Sequence, residues 1–407
     1  MNDRSLAIPG GKNHYKNIDI TVKVNTLITS AFARLNLLHM PSFQQPIHQS
    51  CLNPFKIKSP NSTKVLWGIS DNLLILASLN GLFGRIHLKH VLDLVFQTMV
   101  FYLGLEELIN VKNIERLKKD LKVCYPLIDT ILDGLNPRED WEDFCDLTKC
   151  TDVLCCSERQ TFEGILNCFS ESVGTVFGCL RVHGKVAAAT PNWWTLDSVE
   201  LLQIQLLLSN ERYDTGIDFP IYLPVRSPKI PFRLVQWKLT QHSDVCLLCG
   251  PTPSLGDLEK EVKRFWRTAF ALLKSAEACY PANIPLDIVL DKNVLSYLLV
   301  NVDKRRSLSS LSPYSTSGDV HSHLTPVRKR DILRTFYKTV VGTLINLPDS
   351  HDSNEVFMNF EYYSLHALVS DVYLLLILYP SGLPNHYLRS ITRTTLKILT
   401  HEKNCKW

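Results

Sequence analysis

Three times along this chain, apolar runs of strand length come in a small group and then hand over to a segment of helical period; no other sequence feature constrains the fold as much. The first group is Lys64–Trp67 and Leu73–Leu76. It is followed by Ile86–Leu103, where Leu88, Val91, Leu92, Val95, Met99 and Phe101 to Tyr102 fall mostly on one helical face. A second helix starts at Val111, with Ile114, Leu117 and Leu121 as its apolar stripe, and Pro126 kinks or ends it. In the middle of the chain, Thr175–Val182 and Lys185–Ala189 predict a hairpin turning at His183 and Gly184, and Ser198–Leu208 a short helix behind the turn-like Asn192. Ile221–Val225, Leu234–Leu239 and Val245–Cys249 predict three more strands, kept short and suited to an edge by Pro220, Pro224, Pro228 and Pro231. A long helix follows from about Leu255 to Ala278. The last group sets Ile288–Leu290 against Val294–Val302, then a helix Arg328–Ile345, strands through Phe357–Leu378 and a helix Asn385–Thr400.

The order strand-strand, helix, three strands, helix predicts an α+β chain of three units, each a five-stranded mixed sheet flanked by helices. The units are residues 1–140, 174–281 and 282–407, with a connecting helical segment over 141–173 and a flexible Ser-rich loop over 307–323. Each final strand is entered through Ser-Asp, at Ser70-Asp71, Ser243-Asp244 and Ser370-Asp371. Both side chains bond back to turn backbone, so these dipeptides are read as hairpin corners.

Lys plus Arg is 44 and Asp plus Glu 40 over 407 residues, and the formal net charge of +4 is too small to mark a nucleic-acid binder. Runs such as Val372–Tyr379 fall far short of the roughly 20 apolar residues that cross a bilayer. The first 20 residues carry Asp3, Lys12, Lys16 and Asp19 and no apolar core of signal-peptide type, so the expected compartment is the cytoplasm. Twelve cysteines spread through so long a chain read as reduced thiols. Cys145, Cys150, Cys155 and Cys156 lack the paired CxxC spacing of a zinc site, and Cys246 and Cys249 lie in an apolar run where cysteine acts as a small hydrophobe.

No covalent chemistry is legible. The Walker loop fails, because Gly178 to Gly184 encloses five residues and Val186 stands where a hydroxyl must follow Lys185. GxGxxG, HExxH and GxSxG are all missing, and no cofactor is expected. His87 and His90 share a helical face without a carboxylate partner at matching spacing, and read as solvated or capping residues. Glu106, Glu107, Asp133, Glu139, Asp140, Glu142, Asp143 and Asp146 read as helix ends and solvated loops. Two features could mark contact surfaces. Trp193 and Trp194 are either an exposed aromatic platform or a pair with one ring beneath the adjoining helix. The basic groups Lys304, Arg305, Arg306 and Arg328, Lys329, Arg330 flank the serine loop and could meet an anionic membrane, against the alternative of solvated charge.

Four separated stretches, LGLEELINVKNIERLKKDL (103–121), GKVAAATPNWW (184–194), FPIYLPVRSPKIPFRL (219–234) and VCLLCGPTPSL (245–255), together resemble the Fuzzy planar cell polarity proteins. YLLLILYPSGLP (373–384) resembles them more loosely. The resemblance implies three longin-type domains and a role in planar cell polarity and ciliogenesis, near the cytoskeleton and the ciliary basal body. It also implies a longin heterodimer with an Inturned-type partner, exchange activity on a Rab-family GTPase, and assembly with a Fritz-type WD-repeat protein. A non-catalytic scaffold is the alternative. The chain departs from the family at its start: Met1–Asn17 is largely polar and Ile18–Leu38 fits an apolar hairpin poorly, so the first two strands of the first unit are not placed from sequence.

Overall fold

The computed structural model describes residues 6–7, 18–24, 55–59, 62–70, 73–79, 85–135, 142–209, 217–314, 324–342 and 354–401. The chain divides into two compact units, Met1–Leu135 with Pro220–Phe232, and Asn136–Phe219 with Arg233–Trp407.

The first group of elements is β1 (Leu6–Ala7), β2 (Ile18–Val24), β3 (Phe55–Ser59), β4 (Ser62–Ser70) and β5 (Leu73–Leu79), then α1 (Arg85–Leu103), α2 (Leu105–Ile109), α3 (Ile114–Asp120) and α4 (Tyr125–Leu135). A strap follows, with α5 (Cys145–Thr148), β6 (Thr151–Asp152) and α6 (Arg159–Ser172). The second group is β7 (Phe177–Val182), β8 (Lys185–Ala189), α7 (Ser198–Leu208), β9 (Ile217–Leu223), β10 (Ser227–Lys238), β11 (Ser243–Cys249), α8 (Leu255–Trp266) and α9 (Phe270–Glu277). The third is β12 (Ser296–Asn301), β13 (Arg306–Ser310), α10 (Pro326–Val340), β14 (Glu355–Asn359), β15 (Tyr363–Ser370), β16 (Tyr373–Pro380) and α11 (Asn385–His401).

Three sheets result, ordered β1-β2-β5-β4-β3, β8-β7-β11-β10-β9 and β14-β15-β16-β12-β13-β6. The group's last strand is central in each, which explains the near-continuous apolar runs of β11 and β16: a strand flanked on both edges and covered on its faces has no wet side. The three-unit α+β expectation stands, with two corrections: the third sheet, mixed as expected, has six strands rather than five, and the described ladders of the first two are antiparallel. β2 pairs antiparallel with β5, β7 with β11 and β12 with β16, and the parallel ladder joins β13 to β6. Ile18–Val24, the start of the span that fits an apolar hairpin poorly, is an inner strand between β1 and β5, with Ile18, Ile20, Val22 and Val24 alternating along it, whereas residues 25–54 lie outside the described set.

Two further expectations are corrected. Ile288–Leu290 is not a strand; on the side away from β16, β12 pairs with β13, in register Tyr297 to Ser310 through Asn301 to Arg306. Residues 307–310, read as loop because of their serines, are therefore an inner strand of the third sheet, and residues 315–323 lie outside the described set. Two of its three serine hydroxyls meet polar groups that local sequence does not reveal: Ser307 Oγ donates to Asp152 and Ser310 Oγ to the Pro281 carbonyl.

The strap links two cores. Phe144, fully buried, packs among Leu298, Leu376, Leu333 and Phe336 of the third domain, while Leu154, Cys156 and Phe162 pack with Leu180, Val245 and Trp266 of the second. Burying a phenylalanine side chain of this kind contributes about 1.5–3 kcal/mol. Its backbone closes two edges: Thr151 and Val153 donate to the Arg305 and Ser307 carbonyls of the third sheet, and Leu154 donates to Val186 of the second. Val153 also bridges Val186 in parallel, so β8 and β13 are both protected edges. Among the described residues no helix is long and apolar enough to cross a membrane.

Candidate interaction site

The 3-10 turn Trp193–Thr195 follows β8 and places its two tryptophans differently. Trp193 is 2% exposed and belongs to the core, so it is not half of an exposed platform. Trp194 is half-buried, and the guanidinium of Arg306 lies 3.7 Å from its ring centroid, a cation–π contact between the second and third domains. Burial first, and then the Arg159 charge, push the Arg306 side chain down to about 10. The same two causes, with Arg306 itself, lower Lys304. Arg305, at φ 51° in the β12–β13 turn, donates to Ser198 Oγ at 2.9 Å and lies 3.5 Å from Asp197. Thus Trp194, Lys304, Arg305 and Arg306 come together and Arg159 joins them; Arg159 stands on the strap helix, and no local pattern flagged it.

The second basic group does not match the first. Arg328 is exposed, but Lys329 and Arg330 are 4% and 2% exposed on the inner side of α10, and they are withdrawn as membrane contacts. Their neighbour Arg334 holds Asp146 by two bonds of 2.5 and 2.8 Å across the strap, and Arg330 folds onto Asp331.

The acids read as solvated loop are also corrected where the strap carries them. Lys185 Nζ, 4% exposed, meets Asp143 Oδ1 at 2.9 Å, and Asp152 Oδ1 accepts from Ser307 Oγ at 2.5 Å. Burial, then the charge of Asp143, pushes Asp152 up to about 7. Burial also opposes ionised Asp143, yet the ammonium of Lys185 holds it below its usual range, and Lys185 is raised by its two carboxylates against the cost of burial. A half-buried acid, Asp143, and a buried one, Asp152, thus compete for one lysine. Glu142 accepts from the Tyr280 hydroxyl at 2.8 Å. Glu139, Asp140 and the side chains of Asp133, His87 and His90 lie outside the described set.

Of the three Ser-Asp corners, Asp371 behaves as read, at φ 51° between β15 and β16. Asp244 instead lies inside β11 and takes Arg181 Nε and Nη2 at 2.9 Å each, across the ladder. Asp71 lies outside the described set. Cys246 and Cys249 sit buried in β11 as small hydrophobes, and burial raises both thiols.

What these side chains can do is hold domains together and present charge; the fold defines a chain of three longin-type domains. Comparison with protein families agrees: the first, second and third "Longin domain of FUZ, MON1 and HPS1" profiles match residues 14–131, 173–267 and 293–403. The chain is 30% identical to the protein fuzzy homolog of Xenopus tropicalis over 401 residues, covering 92% of each chain. It is 33% identical to that of Mus musculus over 359 residues, 83% of each, and 34% identical to that of Homo sapiens over 317 residues, 77% of this chain and 72% of that one. It belongs to the Fuzzy family.

Proposed function

We propose that this chain is one subunit of a longin heterodimer with an Inturned-type partner, acting in planar cell polarity and ciliogenesis as a guanine-nucleotide exchange factor for a Rab-family GTPase. A Fritz-type WD-repeat protein belongs to the same assembly, which works in the cytoplasm near the cytoskeleton and the ciliary base. The observation that carries this reading is the succession of three longin domains in Fuzzy order, along nearly the whole chain. An exchange factor makes and breaks no covalent bond. It binds the nucleotide-free GTPase, and the factor by which it favours that state weakens nucleotide binding equally. Shape and backbone contacts from rigid domains suffice, and the braced second and third domains supply such rigidity. The exposed Lys304, Arg305 and Arg328, with Arg306 on Trp194, are the charges such a complex would turn toward an anionic membrane.

The test is release of a fluorescent guanine nucleotide from Rab proteins, measured with this chain, an Inturned-type partner, and the two co-expressed. Acceleration by the pair and by neither subunit alone is expected. A stable pair that accelerates no Rab overturns the exchange reading in favour of a scaffold.

A further inference from the structure

β9 and β10 run past the rest of the second sheet. The ladder between β10 and β11 begins at Arg233, opposite Cys249, so Ser227 to Phe232 at the start of β10 lie beyond it. At about 3.3 Å per residue this arm projects roughly 20 Å. Pro220–Phe232 falls in the same compact unit as α1 to α4. There Tyr222 lies against Gly104, and Lys229 Nζ is 3.5 Å from Glu106 Oε1 on α2. Pro220, Pro224, Pro228 and Pro231 have no N–H to donate, so the arm is thinly bonded, and a two-stranded hairpin is marginal in water by itself. Such a segment opens locally at low cost.

Ser227 stands at the tip of the arm, directly after the turn 224–226, and is partly exposed. Its hydroxyl donates to the Ile230 carbonyl at 2.8 Å, a contact within the arm itself. Pro228 and the exposed Lys229 follow it. Kinases that require proline after the acceptor hold the substrate as an extended strand, and the structure sorts the chain's six Ser-Pro and Thr-Pro pairs by that demand. Thr190 is buried. Thr325 caps α10, its Oγ1 accepting from the Arg328 N–H at 3.3 Å, so its backbone is committed to the start of a helix. Arg233 holds the carbonyls of Pro251 and Pro253 on either side of Thr252. The Ser312 N–H is tied back to Ser310 Oγ at 3.2 Å, and the side chain of Ser59 lies outside the described set. Among the described acceptors Ser227 is the one already in extended backbone and held by a local contact.

We propose that Ser227 is a phosphorylation site for a proline-directed kinase, and that its phosphate releases the arm from α2. In the transfer Ser227 Oγ attacks the γ-phosphorus of ATP. The Oγ–P bond forms, the bond from that phosphorus to the β–γ bridging oxygen breaks, ADP leaves, and the hydroxyl proton passes to the base of the kinase. The new group carries about −1.5 to −2 charges at neutral pH. Residues 227 and 229 share a face of the strand, so the phosphate stands beside Lys229 and competes with Glu106 for it. It also repels Glu106 and the exposed Glu107 on α2, while Arg226 in the adjoining turn draws it toward the arm. The site does not depend on exchange activity.

The full chain is incubated with magnesium ATP and, in turn, a cyclin-dependent and a mitogen-activated kinase, and the phosphate is placed by tandem mass spectrometry. A peptide spanning residues 222–234 is the unfolded control. Ser227 is expected to carry the main phosphate, and Ser227→Ala to lose most of the incorporation. Amide hydrogen exchange over residues 104–110 should then rise about threefold or more in the phosphorylated chain and stay unchanged in kinase-treated Ser227→Ala. Phosphate on Thr252, Ser312 or Thr325 with Ser227 unmodified overturns the site. So does a peptide that the kinases modify while the folded chain is refused, and so does failure to modify either one. Phosphorylated Ser227 with unchanged exchange over residues 104–110 overturns the release of the arm.

Discussion

Gly104 has φ 77° and ψ 156°, a backbone region essentially closed to residues with a Cβ, and a Cβ placed there would lie 2.8 Å from the Tyr222 ring. Strain of this kind costs about 1–3 kcal/mol. Gly104→Ala is therefore expected to lower unfolding stability by about 2 kcal/mol in urea titration, and the same change in a Tyr222→Ala background should lose less, isolating the backbone contribution. Single residues were hardest to read where they carry charge. Lys304 and Lys329 look alike in sequence, but one is exposed in a turn and the other buried on α10. The partner that keeps Arg334 inside, Asp146, is 188 residues away, and nothing within a helical turn reveals it.

α7 matches its sequence span residue for residue, though its start signal is not Asn192. Asp197 is the N-cap: its Oδ1 accepts from the Val199 N–H at 2.9 Å, and Glu200 Oε2 accepts from the Asp197 N–H at 3.0 Å. That is a reciprocal capping box, legible in the spacing of Asp197 and Glu200. Asp197→Ala should cost about 1 kcal/mol, read as a shift in the denaturant midpoint, and it also removes the carboxylate beside Arg305. β13 makes the opposite point. Serine favours loops because it bonds local backbone. Here the hydroxyls bond Asp152 and Pro281 instead, so tertiary partners override the propensity.

The second and third domains are joined by a strap whose carboxylates outnumber the cation between them. Asp152 ionises near pH 4 when unfolded and only at about 7 when folded. For an acid raised by folding, the native state binds the extra proton between those values. Stability from this group is thus complete below about pH 4 and is lost as pH rises to about 7. Asp152→Asn keeps the neutral shape, so its denaturation midpoint relative to the parent should rise between pH 5 and 8; a constant difference would refute the assignment. Lys185→Met leaves Asp152 buried without its cation and Asp143 half-buried beside it, and should destabilise by about 2–3 kcal/mol, most strongly above pH 7.

The periodicity of apolar residues determined the three-unit α+β plan, the hairpin at His183 and Gly184, the presence of three strands at β9 to β11 and the C-terminal helix, because a local period of two or 3.6 places side chains on one face whatever lies opposite; the prolines do not keep those strands short, since β10 runs for 12 residues through Pro228 and Pro231. It left the site largely hidden. Trp194 meeting Arg306, Asp143 and Asp152 sharing Lys185, and the strap residues Thr151–Leu154 closing two sheets all join residues far apart in the chain. Burial of a charge and closure of an edge depend on what arrives from elsewhere, and only the tertiary structure brings those partners within the few ångströms over which hydrogen bonds and ion pairs act.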